Sequence, residues 1–301
     1  MLRLLKKSID SLHTPLDIRD MVKLSRGWKI DMELAGSWRR EKRNQFRYDL
    51  SDSFENSIVI AGSCSSVLDL SHYLLKKGGM EIWDSLLAFE QIRGRGRKGR
   101  RWYSPPGNIY GAIVLPPTPP RWRKLLTLFT GYVICDTLCI NGFRARLKWP
   151  NDILLENRKV GGALIEEKSG RRVPGIGINL TRAPSGDYPD APLSFPAGAL
   201  GRDTDTSLTP VQVWDFLVRR FKKLYSYFII NDGIEEFLEA ASFRLSFLNR
   251  EVTVKRNEEK VFRAIFAGIN REGGALLLSE GKEKIIYDGQ IILTRRDKGK
   301  L

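Results

Sequence analysis

Hydrophobic and polar positions fall into three successive patterns along this chain. Residues 1–56 are polar, mixed in charge and only weakly periodic, with Trp28, Leu34 and Trp38 as the candidate packing residues, and predict an N-terminal arm or small subdomain. A mixed α/β pattern opens at Ile58-Val59-Ile60-Ala61, a β-branched run, and continues through a serine-rich turn into a helix over residues 68–77 that closes at Gly78-Gly79. Strands are predicted over 86–89 and 108–115, the second ending at Pro116-Pro117, where missing N–H groups stop a ladder. An apolar helix over 125–138 follows. Strand-like runs at 144–149, 160–166 and 173–180, with a turn near Asn157-Arg158, are spaced closely enough to be antiparallel neighbours. Residues 181–205 are rich in Pro, Gly and Asp and long for a connection, which marks a functional or mobile loop. Thr209-Pro210 supplies an N-cap and an N1 proline for a helix to about Phe228. Short strands at 251–255, 261–269, 275–279, 284–287 and 290–294 then predict a small β-barrel or sandwich. The expected division is 1–56, 57–246 and 247–301.

Composition narrows the class. The sequence has no run of about 18 uncharged apolar residues, and Arg3, Lys6 and Lys7 come too early for a secretory segment, so a cytoplasmic protein with no membrane partner is expected. Cys64, Cys135 and Cys139 show no zinc or disulfide spacing, and the last two, four apart on the apolar helix, read as core thiols. With only His13 and His72, a catalytic triad or a His-rich metal site is not expected, and His72 reads onto a solvated helix face. The net charge of +15 calls for a polyanionic partner, whether nucleic acid, nucleotide or acidic protein. Residues 31–36 offer only a faint helix-turn-helix, so DNA is not the expected partner.

Six of the cations lie in Gln91-Ile92-Arg93-Gly94-Arg95-Gly96-Arg97-Lys98-Gly99-Arg100-Arg101-Trp102, between two predicted strands. Glycines let backbone N–H groups approach a ligand, and guanidinium forks match phosphate or carboxylate oxygens. The spacing is neither a Walker A nor a Rossmann fingerprint. An RNA-binding arginine-glycine patch is the alternative, usually longer and repetitive. Two further groups stand out. Lys148-Trp149-Pro150-Asn151-Asp152 precedes Lys159-Val160-Gly161-Gly162, where a lysine enters a strand beside bare backbone, an arrangement suited to a carboxylate or acyl phosphate. Gly175-Ile176-Gly177-Ile178-Asn179 is a strand stripped by glycines that closes on an amide able to face a purine edge.

In this order the three groups resemble the biotin protein ligase family, strongly over 58–180 and more weakly at Gly273-Gly274-Ala275-Leu276-Leu277-Leu278 and Asp288-Gly289-Gln290. The resemblance implies an α+β fold: a mixed, largely antiparallel sheet with flanking helices, like a class II synthetase catalytic domain, plus a C-terminal SH3-like β-barrel. It implies activation of biotin by ATP, with Mg²⁺, to biotinyl-5'-AMP, then transfer to a lysine of a biotin carboxyl carrier domain of a carboxylase or decarboxylase by a monomer or homodimer. It places Arg97 and Lys159 at the reaction centre. Biotin would meet Ser65, Ser66, Gln91, Gly94, Arg95, Gly96, Arg97, Lys159 and Gly162. The nucleotide would meet Arg95, Arg97, Arg100, Trp102, Asn151, Asp152 and Asn179, with Trp102 lining the pocket or packing beneath it. The family's Ser-Thr-Asn element stands here as Ser63-Cys64-Ser65-Ser66, without its threonine and asparagine.

Rival readings are a dual ligase and repressor, a lipoate or octanoate ligase of related fold, and a nucleic-acid-binding module. If residues 181–205 order over an adenylate, biotin with ATP should slow protease cleavage there; equal cleavage with and without them would count against that role.

Overall fold

The structure, a computed structural model, describes residues 1–9, 11–43, 45–52, 54–184, 195–201, 208–256 and 261–293. In chain order, strands β1 (Leu2–Leu5) and β2 (His13–Thr14) precede helices α1 (Ile18–Leu24) and α2 (Arg26–Ala35) and the strands β3 (Arg39–Arg43) and β4 (Phe46–Ser51). Then come β5 (Ile58–Cys64), α3 (Val67–Lys76), β6 (Ser85–Gln91), β7 (Ile109–Ile113), α4 (Leu126–Ile140), β8 (Arg146–Lys148), β9 (Asp152–Leu155), β10 (Arg158–Lys168) and β11 (Arg171–Ile178). Helix α5 (Pro210–Leu224) runs into a π-helical stretch, Tyr225–Ile230, before α6 (Ile234–Arg244) and β12 (Glu251–Lys255), β13 (Val261–Ile269), β14 (Ala275–Ser279), β15 (Lys282–Ile286) and β16 (Gln290–Leu293). The chain divides into two units, Met1–Thr118 with Arg158–Lys223, and Pro119–Asn157 with Leu224–Leu301.

In the first unit the strands run β3-β4-β1-β5-β6-β7-β11-β10, with β2 beside β5. The β1–β5 and β5–β6 pairs are parallel, and the pairs of β7 with β6 and β11, and of β10 with β11, are antiparallel. This is the mixed sheet expected. Helix α3 packs on β6, β7 and β11. Its apolar stripe, Val67, Leu68, Leu70 and Leu74, joins Val59, Ala88, Tyr110 and Val173 in one core, as helical spacing requires. Ser66 caps its start, and at its end Gly78, at φ 70°, lets Gly79 N–H reach Leu74 O at 2.7 Å. On helix α5, the Trp214 indole N–H donates to Ser85 Oγ at 3.1 Å, and a Cβ on Gly111 would fall 2.3 Å from its ring.

The first 56 residues are built into this sheet instead of standing apart from it. β1 is wholly buried, and its Arg3, which weakens the strand pattern in the sequence, pairs with Asp84 at 2.7 Å. In α2 the buried stripe is Trp28, Asp31, Met32 and Ala35; Leu34, expected to pack, is 49% exposed, and Trp38 is half-buried. His72, expected in solvent, is buried, and desolvation lowers its pKa. Cys64 and Cys135 are buried, and burial pushes both thiols up; Cys139 is half-buried. Of the long connection, 185–194 and 202–207 lie outside the described residues. Residues 195–201 run beside β10, with Lys159 N–H on Pro196 O and Gly198 N–H on Lys159 O.

In the second unit α4 is buried along nearly its whole length and packs on α6, β8 and β9. Phe129 meets Trp122 and Tyr225 edge to face and Phe237 at a tilt, with ring centroids 5.7–6.3 Å apart. β8 falls within the strand expected at 144–149 and pairs antiparallel with β9, which the sequence pattern does not predict, and neither does it predict α6. The C-terminal strands form an antiparallel sheet in the order β15-β14-β13-β12-β16, with a bulge between Phe266 and Gly268, matching the expected small β-domain. No helix among the described residues is long and apolar enough to cross a membrane.

Asp31 ties α2 to α5: its carboxylate accepts from the Thr209 hydroxyl and from Val211 N–H at 2.8 Å. Burial raises its pKa from 3.8 to about 7. The unfolded chain ionises this group near 3.8 and the folded chain near 7, so its stabilisation is complete below the first value and is lost as pH rises through the second. Asp31→Asn, which keeps an acceptor but cannot ionise, should therefore show a urea midpoint that falls less than the wild type's from about pH 5 to about pH 8. Equal falls would contradict this role.

Candidate active site

The glycine-arginine segment folds as a closed hairpin that continues β6. Trp102 N–H donates to Gly94 O at 2.8 Å and Gly96 N–H to Arg100 O at 2.7 Å, and Arg95 and Arg101 form an antiparallel bridge. The tip, Arg97–Gly99, turns through Lys98 at φ 59° and Gly99 at φ 71°. Ahead of the hairpin, Ile92 and Arg93 donate N–H to the carbonyls of Cys64 and Ser65. Gln91 works at both ends of its amide, accepting from Val67 N–H and donating to Ser104 Oγ, each at 2.9 Å. A Cβ on Gly94 would fall 2.6 Å from both Trp102 O and Ser104 Oγ, so only glycine fits between them.

Arg95, expected to wrap the ligand, is engaged elsewhere. Its Nε and Nη2 donate to Glu166 at 2.8 and 2.9 Å, and its Nη1 and Nη2 to Asp69 at 2.6 and 2.9 Å. Lys168 Nζ adds contacts of 3.3 Å to Asp69 and 3.7 Å to Glu166. Hydrogen bonding from Arg95 holds the Asp69 carboxyl below the usual range, and the two acids push the guanidinium up. Asp69, Glu166 and Lys168 carried no role in the sequence reading. Their signal was the placing of Asp69 three residues after a helix cap and of two acids and a lysine at a strand end.

Arg97 and Arg100 sit half-buried at the tip, with Arg100 Nε reaching Arg97 O at 3.4 Å. Lys159 Nζ lies 5.4 Å from the centroid of the Trp102 ring. The indole rests on bare backbone: a Cβ on Gly177 would fall 2.7 Å from its Nε1, and Gly177 pairs across the ladder with Gly162. Trp102 packs against the core, and its Nε1 is buried with no hydrogen-bond partner. Asn179 is buried; its Nδ2 donates to Gly198 O at 2.8 Å, and its Oδ1 has no partner. Ser66 Oγ is spent on Leu68 N–H, whereas Ser65 Oγ is buried without a partner. All these residues belong to the first unit. Asn151 and Asp152 lie in the second, where Asp152 takes the Lys148 ammonium at 2.9 Å.

Residues 78–181 match the model of the biotin/lipoate A/B protein ligase family, and residues 247–294 match that of the biotin protein ligase C-terminal domain. The chain is 30% identical over 215 residues to the biotin–[acetyl-CoA-carboxylase] ligase of Paracoccus denitrificans, covering 68% of this chain and 88% of that protein. The chain belongs to the biotin protein ligase family. The bifunctional ligase/repressor BirA of Escherichia coli (strain K12) is 29% identical over 246 residues, covering 76% of this chain and 72% of that one. Among solved structures, the biotin protein ligase from Aquifex aeolicus in complex with biotin and ATP aligns with a TM-score of 0.66 at 26% identity, covering 79% of this chain and 99% of that one.

The hairpin stem depends on Gly94. Gly94→Ala is expected to cost roughly 1–3 kcal/mol, because the clash is with a carbonyl that cannot rotate away. Gly96→Ala, whose nearest contact would be 3.7 Å, should cost less in the same urea titration. An equal cost would contradict the packing described.

Proposed function

We propose that this chain joins biotin to AMP at the expense of ATP and then passes the biotin to a lysine of a carrier protein. The biotin carboxylate attacks the α-phosphate, pyrophosphate leaves, and the carrier's amine attacks the carbonyl of the mixed anhydride and expels AMP. No covalent enzyme intermediate is required, so the protein's work is positioning and the stabilisation of spreading negative charge. The observation that carries the reading is the pairing of a glycine-cleared hairpin tip bearing Arg97 and Arg100 with Lys159 held over Trp102.

In this reading Lys159 neutralises the biotin carboxylate as it meets the α-phosphate. Arg97 holds the acyl phosphate and Arg100 the outgoing phosphates. Gly96 and Gly162 let the ligand approach bare backbone, and Trp102 is the platform beneath it. Ser65 is the hydroxyl best placed for the ureido ring, since Ser66 and Gln91 already serve the start of α3. The unpartnered Oδ1 of Asn179 suits an adenine amino group. Magnesium would enter with the phosphates of ATP: such an ion takes few protein carboxylates, and no group of three His, Cys, Asp or Glu suited to a metal occurs among the described residues. The acceptor we assign is a biotin carboxyl carrier domain of a carboxylase, in keeping with the relative from Paracoccus denitrificans, and the compartment the cytoplasm.

Biotin-dependent ATP–pyrophosphate exchange tests the reading. It should be present with biotin, and its absence with biotin but presence with lipoate would overturn the choice of acid. Lys159→Ala should lower exchange about a hundredfold or more, a scale set by removing one fixed donor to a developing charge. Arg97→Gly should keep exchange and release adenylate into solution. Wild-type exchange and retention in both variants would contradict these roles.

A further inference from the structure

Arg95 stands in the same Gly-Arg repeat as Arg97, yet its surroundings are different. Two of its N–H groups face each carboxylate, which leaves one of five for anything else. Both acids sit on rigid elements. Asp69 is in the first turn of α3, three residues after its Ser66 cap, and Glu166 pairs with Val173 in the β10–β11 ladder. Asp69, Glu166, Arg95 and Lys168 together sum to zero charge. A guanidinium so neutralised attracts a phosphate or carboxylate weakly, and moving it would strand two acids, each only 21–30% exposed.

We infer that Asp69 and Glu166 are positioning residues that hold Arg95 as a structural clasp, fixing the hairpin stem between α3 and β10 so that the tip is presented to the substrates in one place. The inference rests on the proposed ligase reaction for its kinetic consequence, but not for its structural one. The Arg95 side chain is then not a ligand-binding group. Its planar fork is what matters, since a lysine cannot span both carboxylates bidentately.

The test uses the full chain with Asp69→Asn, Glu166→Gln, Arg95→Lys and Arg95→Ala, with the acid and arginine changes also combined. The first readout needs no activity: trypsin should cut after Arg97 and Lys98 about five times faster or more in each variant than in the wild type, while the thermal midpoint of the whole chain moves little. The second is a split in exchange kinetics, KM for ATP rising about tenfold with kcat within about threefold, and with Asp69→Asn adding nothing to Arg95→Ala. Unchanged cleavage in Asp69→Asn and Glu166→Gln would overturn the clasp. So would Arg95→Lys with wild-type KM, which would mean that charge alone serves the ligand, or fully additive losses. Wild-type chain with no biotin-dependent exchange would instead overturn the proposed function, and the cleavage result would still decide the clasp.

Discussion

Two carboxylates on rigid elements hold one guanidinium by both edges, and the hairpin that bears Arg97 and Arg100 is joined to the helix and the sheet at that junction. The strand that leads into the hairpin comes from the sheet, the helix supplies Asp69, and the far end of β10 supplies Glu166, so three elements meet at Arg95. The stem is closed from within by Gly96 N–H on Arg100 O and Trp102 N–H on Gly94 O. Preorganisation of this kind matters most in a reaction without a covalent intermediate, where displaced donors cost as much as absent ones.

The rest of the site follows from what has been removed. Gly177 lets the indole of Trp102 lie on the sheet, and Gly162 keeps the neighbouring strand bare at the same level. The indole in turn offers its face to the Lys159 ammonium. The Lys159 ammonium over a ring face and the Arg95 guanidinium held by two carboxylates thus sit in different surroundings.

Much of this was legible in the sequence. The C-terminal strands at 251–255, 261–269 and 275–279 coincide with β12, β13 and β14, because period-2 alternation bounded by glycines is a local signal. The glycine-arginine segment stood out by its spacing, and the fold explains part of that spacing by the hairpin itself, Gly94 clearing Trp102 O and Gly99 turning the tip at φ 71°. The misses have physical causes. β1 is four residues with a buried arginine, and its strand character comes from pairing with β4 and β5, far away in sequence. The apolar character of Leu34 predicts packing, but the α2 stripe is set by Trp28, Met32 and Ala35, which leaves Leu34 outside. Arg95 and Arg97 are indistinguishable along the chain; only the fold brings Asp69 and Glu166, at separations of 26 and 71 residues, to one of them.

A crystal structure of the chain with biotin and ATP is the most direct measurement of this arrangement. Arg95 should remain bidentate on Asp69 and Glu166 while Arg97 and Lys159 lie against the acyl phosphate. An Arg95 found on the biotin carboxylate or a phosphate, with the two acids released, would contradict the clasp and return that residue to the substrate site.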